Sequence, residues 1–208
     1  MKERTEKSLK CKIYHELASM KCAHVDNQAK KICFCNKDYH ATVAFHENCI
    51  LELSVEDKET GEIPFYLHFQ MKELETSQNN IRAFFDFFSK KKEQREQLNV
   101  SAISSHRPIR LLISCTSGMT SSYFAYTMQN SLNTAGLVMT VDAVSYTEID
   151  KVQEAYDYIL LAPQIAYKLS EYQAKYGSKV MSIDAMDFAS SNVNRVVNKL
   201  MEMSLGAA

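Results

Sequence analysis

The chain has 208 residues, a length that suits one or two domains rather than a longer assembly. Its 46% hydrophobic and 24% charged residues exclude a disordered or collagen-like chain, and 24 Lys+Arg against 25 Asp+Glu leave no basic excess to draw in polyanions. No nucleic acid is therefore expected as a partner. No run approaches the roughly eighteen apolar residues of a spanning helix, and the opening MKERTEKSLKCK is too charged for a signal peptide, so a cytoplasmic chain with no direct membrane insertion is expected.

Taken in order, SLKCKIYHELASMKCA has helical spacing; KKICFC, HATVAF, CILELSV and PFYLHFQM read as strands; and DKETGE supplies a turn before the last strand. IRAFFDFFSKKKEQ follows as an amphipathic helix, with Ile81, Phe84, Phe85 and Phe88 at core spacing and Lys90 to Lys92 favouring its C-terminal dipole. This pattern predicts an α+β domain over residues 1–95 containing an antiparallel sheet, its role open. Five of the six cysteines fall here (Cys11, Cys22, Cys33, Cys35 and Cys49), and in a reducing cytosol they are read as free thiols. Cys22, Cys33, Cys35 and Cys49 form, with His24, His40 and His46, a dense set of possible zinc ligands. Cys-x-Cys and Cys-x-His are not the usual Cys-x2-Cys pairing, however, so the expectation is no metal, with Cys33, Cys35 and Cys49 buried in strands.

From Ser89 to Arg107 a charged run passes into small polar residues, which places a linker at residues 96–107 and a second domain at 108–208. There the apolar period switches regularly. IRLLIS, LVMTVDAVS, YDYILLA and KVMSI are strand-like, and they alternate with helix-like SYFAYTMQNSLNTAG, TEIDKVQEA, QIAYKLSEYQAKYG and a last helix through Asn194 to Met203. Strand and helix four times over predicts an α/β domain: a four-stranded parallel doubly wound sheet in flavodoxin-like order 2-1-3-4.

The informative segment lies between the first strand and first helix of this domain: Cys115, Thr116, Ser117, Gly118, Met119, Thr120, Ser121 and Ser122. Backbone amides at such a turn converge on a helix N-terminus, where the dipole favours an anion; the hydroxyls of Thr116, Ser117, Thr120, Ser121 and Ser122 add donors, and Gly118 allows tight backbone. The same field favours the thiolate of Cys115 and marks it as a nucleophile. Asp184 and Asp187 would repel a phosphate and are read as capping or turn residues.

This loop resembles that of the enzyme IIB components of the sugar phosphotransferase system, of the lactose, cellobiose and chitobiose type, which has the form Cys-Ser-x-Gly-Met-Ser-Thr-Ser. LLAPQIAYKL (Leu160 to Leu169) is similar to the family's Leu-Leu-Gly-Pro-Gln-Ile-Ala-Tyr segment, with Ala162 in place of glycine, and SIDAMDF to its Val-Ile-Asp-x-x-x-Tyr segment. The resemblance spans about residues 108–203. It implies a phosphoryl carrier: Cys115 accepts phosphoryl from a phosphohistidine of enzyme IIA and passes it to a sugar held by the membrane enzyme IIC. Residues 116–122 would bind the phosphate without cofactor or metal. Met119, Tyr123 and Tyr167 are expected in an apolar docking patch.

If the strand order is as predicted, Cys115 and the Pro163-Gln164 pair end neighbouring strands at the switch point and line one crevice. Two other readings keep the same thiol. A phosphorylation-state sensor is suggested by the fusion to an unrelated first half. A low-molecular-weight tyrosine phosphatase would need Cys-x5-Arg-Ser, and Ser121 stands where that arginine would be.

Overall fold

Along HATV, LELSVE and LHFQ of the first half apolar and polar residues alternate, and the computed structural model turns that period of two into a sheet with one dry face. The structure describes residues 2–90, 108–116 and 119–206, and the chain divides into two compact units, Met1–Lys92 and Glu93–Ala208. The connector read at 96–107 lies outside the described residues.

The first unit runs α1 (Lys2–Ala18), β1 (His24–Asp26), β2 (Lys31–Cys35), β3 (Tyr39–Phe45), β4 (Ile50–Asp57), β5 (Phe65–Gln70) and α2 (Leu74–Ser89). Its five strands pair in sequence order, all antiparallel. Ile32, Val43, Leu53 and Leu67 are in register across four strands, and each is fully buried. Ile13 and Leu17 of α1 and Ala83 and Phe84 of α2 are buried too, with Phe84 edge-on to Phe65 at 5.9 Å. Each of these Ile, Val, Leu and Phe side chains contributes about 1.5–3 kcal/mol on burial. The turn before β5 forms as its composition predicts: Asp57 Oδ1 accepts from the Glu59 and Thr60 amides, and Gly61 takes a φ of 71°.

The same alternation corrects the cysteine expectation. Ile32 and Phe34 take the core face of β2, so Cys33 is left half-buried and Cys35 exposed, and only Cys49 of the three is buried. Strand β1 is an element the sequence reading does not contain.

The second unit runs β6 (Ile109–Cys115), α3 (Met119–Thr134), β7 (Met139–Ser145), α4 (Ile149–Val152), β8 (Tyr158–Leu161), α5 (Leu169–Tyr176), β9 (Val180–Ser182), α6 (Ala185–Ala189) and α7 (Val193–Gly206). The four strands are parallel in the order β7-β6-β8-β9, which is the predicted 2-1-3-4. Leu112, Ile159 and Leu161 pack with Ile149, Ile165 and Tyr172 on one face. Their strand neighbours Leu111, Ile113 and Leu160 must face the other way, and they are equally buried. On α3, Phe124 stacks against Phe188 of α6 at 4.8 Å. Gly136 ends α3 at a φ of 71°, and the Leu137 amide returns to the Leu132 carbonyl at 3.0 Å.

Three helix boundaries differ from expectation. TEIDKVQEA is a single α-turn between two short 3-10 turns. The segment after β8 begins as a 3-10 turn, Pro163–Lys168, kinked at Ile165, before α5 takes over. The last helix is preceded by α6, and Ser191 at a φ of 52° separates the two.

Candidate functional site

A parallel sheet delivers every strand end to one edge, and the central strand ends at Cys115. Three hydrogen bonds fix the backbone around it. The Ala162 amide, just past β8, donates to the Ser114 carbonyl (2.8 Å); Ser114 Oγ donates to the Val144 carbonyl of β7 (3.1 Å); and Ser145 Oγ donates to the Thr116 carbonyl (3.2 Å). Cys115 and Ser145 are register partners. The start of the loop is thus held from both neighbouring strands.

The Cys115 thiol donates to Ser121 Oγ in the first turns of α3 at 3.2 Å. Both residues are shut from solvent, Cys115 at 1% exposure. The loop chemistry marks this sulfur as a nucleophile, yet it lies beneath the surface with its proton engaged by a buried hydroxyl. Thr116 and Thr120 are half-buried and Ser122 is exposed. Ser117, Gly118 and the side chain of Met119 lie outside the described residues.

On the β8 side, Pro163 and Gln164 are buried and Tyr167 is half-buried. Residues 162–165 stand beside the end of β6, so the two segments read from the sequence do meet at one strand edge. Ser145 and Tyr146 were not anticipated. The switch-point rule would have found them, because they follow β7 as Cys115 follows β6. The Lys168 ammonium lies 5.4 Å from the Tyr146 ring centre. Its hydrogen bond to Glu171 (2.8 Å) holds Lys168 above the ordinary lysine range, against the opposing pull of partial burial. Tyr123, on the outer face of α3, is 67% exposed.

The two aspartates part company. Asp184 caps α6, accepting from the Met186 and Asp187 amides. Asp187 is no cap: its buried carboxylate pairs with Lys199 Nζ at 2.7 Å and lies 3.6 Å from Arg195 Nε, tying α6 to α7. Among the described residues, no group of three or more His, Cys, Asp or Glu is placed to hold a metal ion, and no helix is long and apolar enough to cross a membrane.

No curated protein matches the chain. Among solved structures it is similar to the cellobiose-specific phosphotransferase IIB component protein from Borrelia burgdorferi, with 19% identity and a TM-score of 0.40 over 48% of this chain and 93% of that one. The lactose-specific IIB component domain of the phosphoenolpyruvate:carbohydrate phosphotransferase system from Streptococcus pneumoniae gives 18%, 0.40, 48% and 97% in the same terms. A low molecular weight protein tyrosine phosphatase from Bacillus subtilis gives 12%, 0.33, 45% and 95%. Residues 110–199 match the family model for the PTS system, Lactose/Cellobiose specific IIB subunit, so the resemblance carried by the Cys115 loop and the LLAPQIAYKL segment holds for the second unit.

Proposed function

We propose that the second unit is a phosphoryl carrier of the sugar phosphotransferase system, a phosphotransferase component with Cys115 as its carrier residue. The donor is a phosphohistidine of an enzyme IIA, and the acceptor is a β-glycoside sugar of the cellobiose or lactose type held by a membrane enzyme IIC. The observation that carries this reading is the position of Cys115: the last residue of the central parallel strand, level with Ser145 and beside the start of the Pro163-Gln164 turn, within the stretch that matches the IIB family. In the first transfer the sulfur lone pair attacks phosphorus as the P–N bond breaks. The bonding pair goes to the imidazole nitrogen, and that nitrogen gains the proton given up by the thiol. In the second, a sugar hydroxyl oxygen attacks, the S–P bond breaks, and the thiol is re-formed with the hydroxyl proton. Alignment and hydrogen bonds to the phosphoryl oxygens supply the catalysis.

The burial of the sulfur sets a condition on this chemistry, because an in-line donor must reach Sγ. The decisive measurement is phosphoryl acceptance from a phosphorylated IIA, followed by intact mass. Cys115→Ser is expected to lose it by at least about 10³-fold, while Cys33→Ser keeps it. Unchanged acceptance in Cys115→Ser would remove the proposal. Ser121 in place of an arginine, itself occupied by the thiol, gives no support to a phosphatase.

A further inference from the structure

Gln164 is 3% exposed, and neither its Oε1 nor its Nε2 has a hydrogen-bond partner among the described residues. A buried carboxamide that pairs with nothing bears the desolvation of a donor and an acceptor without return. Leucine would fill a similar volume without that penalty. An unpaired buried amide therefore calls for an explanation, and a group from outside the chain is one.

Its location narrows the choice. Gln164 is the second residue of the turn that follows β8, three positions past Leu161, which is level with Ser114. The Ala162 amide is bonded to the Ser114 carbonyl, so this turn starts beside the strand end where Cys115 stops. Pro163 before it has a fixed φ, and Ile165 after it is anchored in the core, so the turn has little freedom to swing its amide out to water. The chemistry narrows it again. A carboxamide nitrogen donates to phosphoryl oxygen without adding a positive charge, so it lacks the ion-pair attraction and the bidentate grip of a guanidinium. A carrier must give its phosphoryl up, so a neutral donor suits it better than a guanidinium.

We propose that Gln164 is a phosphoryl-binding residue, donating from Nε2 to a non-bridging oxygen of the phosphoryl group on Cys115. This rests on the carrier reading above. The test uses the full chain, phosphorylated by an enzyme IIA bearing phosphohistidine or by phosphoramidate, alongside Gln164→Leu and Gln164→Glu. Gln164→Leu is expected to form phosphocysteine about 10- to 100-fold more slowly and to move its ³¹P resonance, while the unphosphorylated variant melts about 4 °C higher because the unpaired amide is gone. Gln164→Glu, which sets a carboxylate against the phosphoryl, is expected to be slower still. In the ¹⁵N-labelled wild-type chain the Gln164 side-chain amide resonance shifts on phosphorylation, and this readout stands even if the variants fail to fold. A Gln164→Leu chain with the wild-type rate and ³¹P resonance, or a Gln164 amide that ignores phosphorylation, overturns the proposal and leaves the carrier reading intact. A wild-type chain that takes phosphoryl from neither donor removes both.

Discussion

In the first unit the strands form an antiparallel meander, and its polar side chains are laid out as a grid. His24, Cys33, Thr42, Ser54 and Tyr66 follow one another in register across five strands, each about 5 Å from the next. In the second unit the strands are parallel, and what matters is where they stop: Cys115, Ser145 and the turn after Leu161 arrive at a single edge. The first unit is richer in thiols and imidazoles, with five of the six cysteines and five of the six histidines, yet its grid holds no group placed to bind a metal among the described residues, whereas in the second unit three strand ends meet beside one cysteine. Convergence of strand ends, rather than the supply of reactive residues, is what brings separate segments of the chain to one place.

The widest form of this contrast is phosphoryl acceptance, which on the proposed function is expected to be lost in Cys115→Ser and kept in Cys33→Ser. Next comes the accessibility of the two kinds of thiol. Cys35 is exposed on its strand and Cys115 is sealed at the end of β6. In the unphosphorylated chain iodoacetamide is expected to label Cys35 at least about 10²-fold faster than Cys115, read by peptide mass spectrometry, since a buried thiol reacts only through local opening. Equal rates would break the contrast and put the sulfur at the surface.

The two sheets also differ in how many faces they bury, and successive residues of one strand report it. Leu111 and Leu112 lie on opposite faces of β6, both fully buried; Thr42 and Val43 lie on opposite faces of β3, and only Val43 is fully buried. Leu111→Ala and Leu112→Ala are each expected to cost about 3 kcal/mol in denaturant unfolding. Val43→Ala is expected to cost about 2 kcal/mol and Thr42→Ala less than about 1 kcal/mol. A Thr42→Ala loss as large as that of Val43→Ala would mean that the polar face of the first sheet is covered.

These differences explain what could be read from the sequence. The parallel order, the turn at Gly61, the stop at Gly136 and the placing of the turn after β8 beside the end of β6 were all legible, because period, turn chemistry and the switch-point rule are local or topological. The exposure of Cys35 was not: a period of two says that Cys33 and Cys35 share a face, and only the tertiary packing of Ile32 and Phe34 says which face is dry. The Asp187 partner was hidden for a similar reason, since Lys199 sits twelve residues on, past the break at Ser191. Two features near the end of β6, the thiol bond to Ser121 and the Gln164 amide without a hydrogen-bond partner among the described residues, depend on side-chain depth, and no spacing rule encodes depth.

At the surface the contrast between the units is faintest, and it can still be sharpened. The first unit has the His46–Glu52 pair at 2.7 Å; the second has a tyrosine in place of the histidine, with the Tyr176 hydroxyl donating to the Asp150 carboxylate. That bond, with Lys175 adding in the same direction, holds Asp150 below the ordinary carboxylate range, and the same bond pushes Tyr176 up to about 12. A lowered carboxylate stabilises the fold above its unfolded value and loses that contribution as pH falls through the lowered one. A raised phenol stabilises below its ordinary value of about 10 and loses that contribution as pH rises through about 12. Both limits lie outside the neutral range, so Tyr176→Phe is expected to leave the shape of the stability profile unchanged between about pH 5 and 9. Its effect belongs at the acid end, where the Asp150 side-chain ¹³C titration should move up towards the ordinary value, and by more than in Lys175→Met, because the hydrogen bond outweighs the more distant charge. An Asp150 midpoint that follows Lys175 and ignores Tyr176 would reverse that ranking and reduce the pair to a simple surface ion pair of the kind found on the first unit.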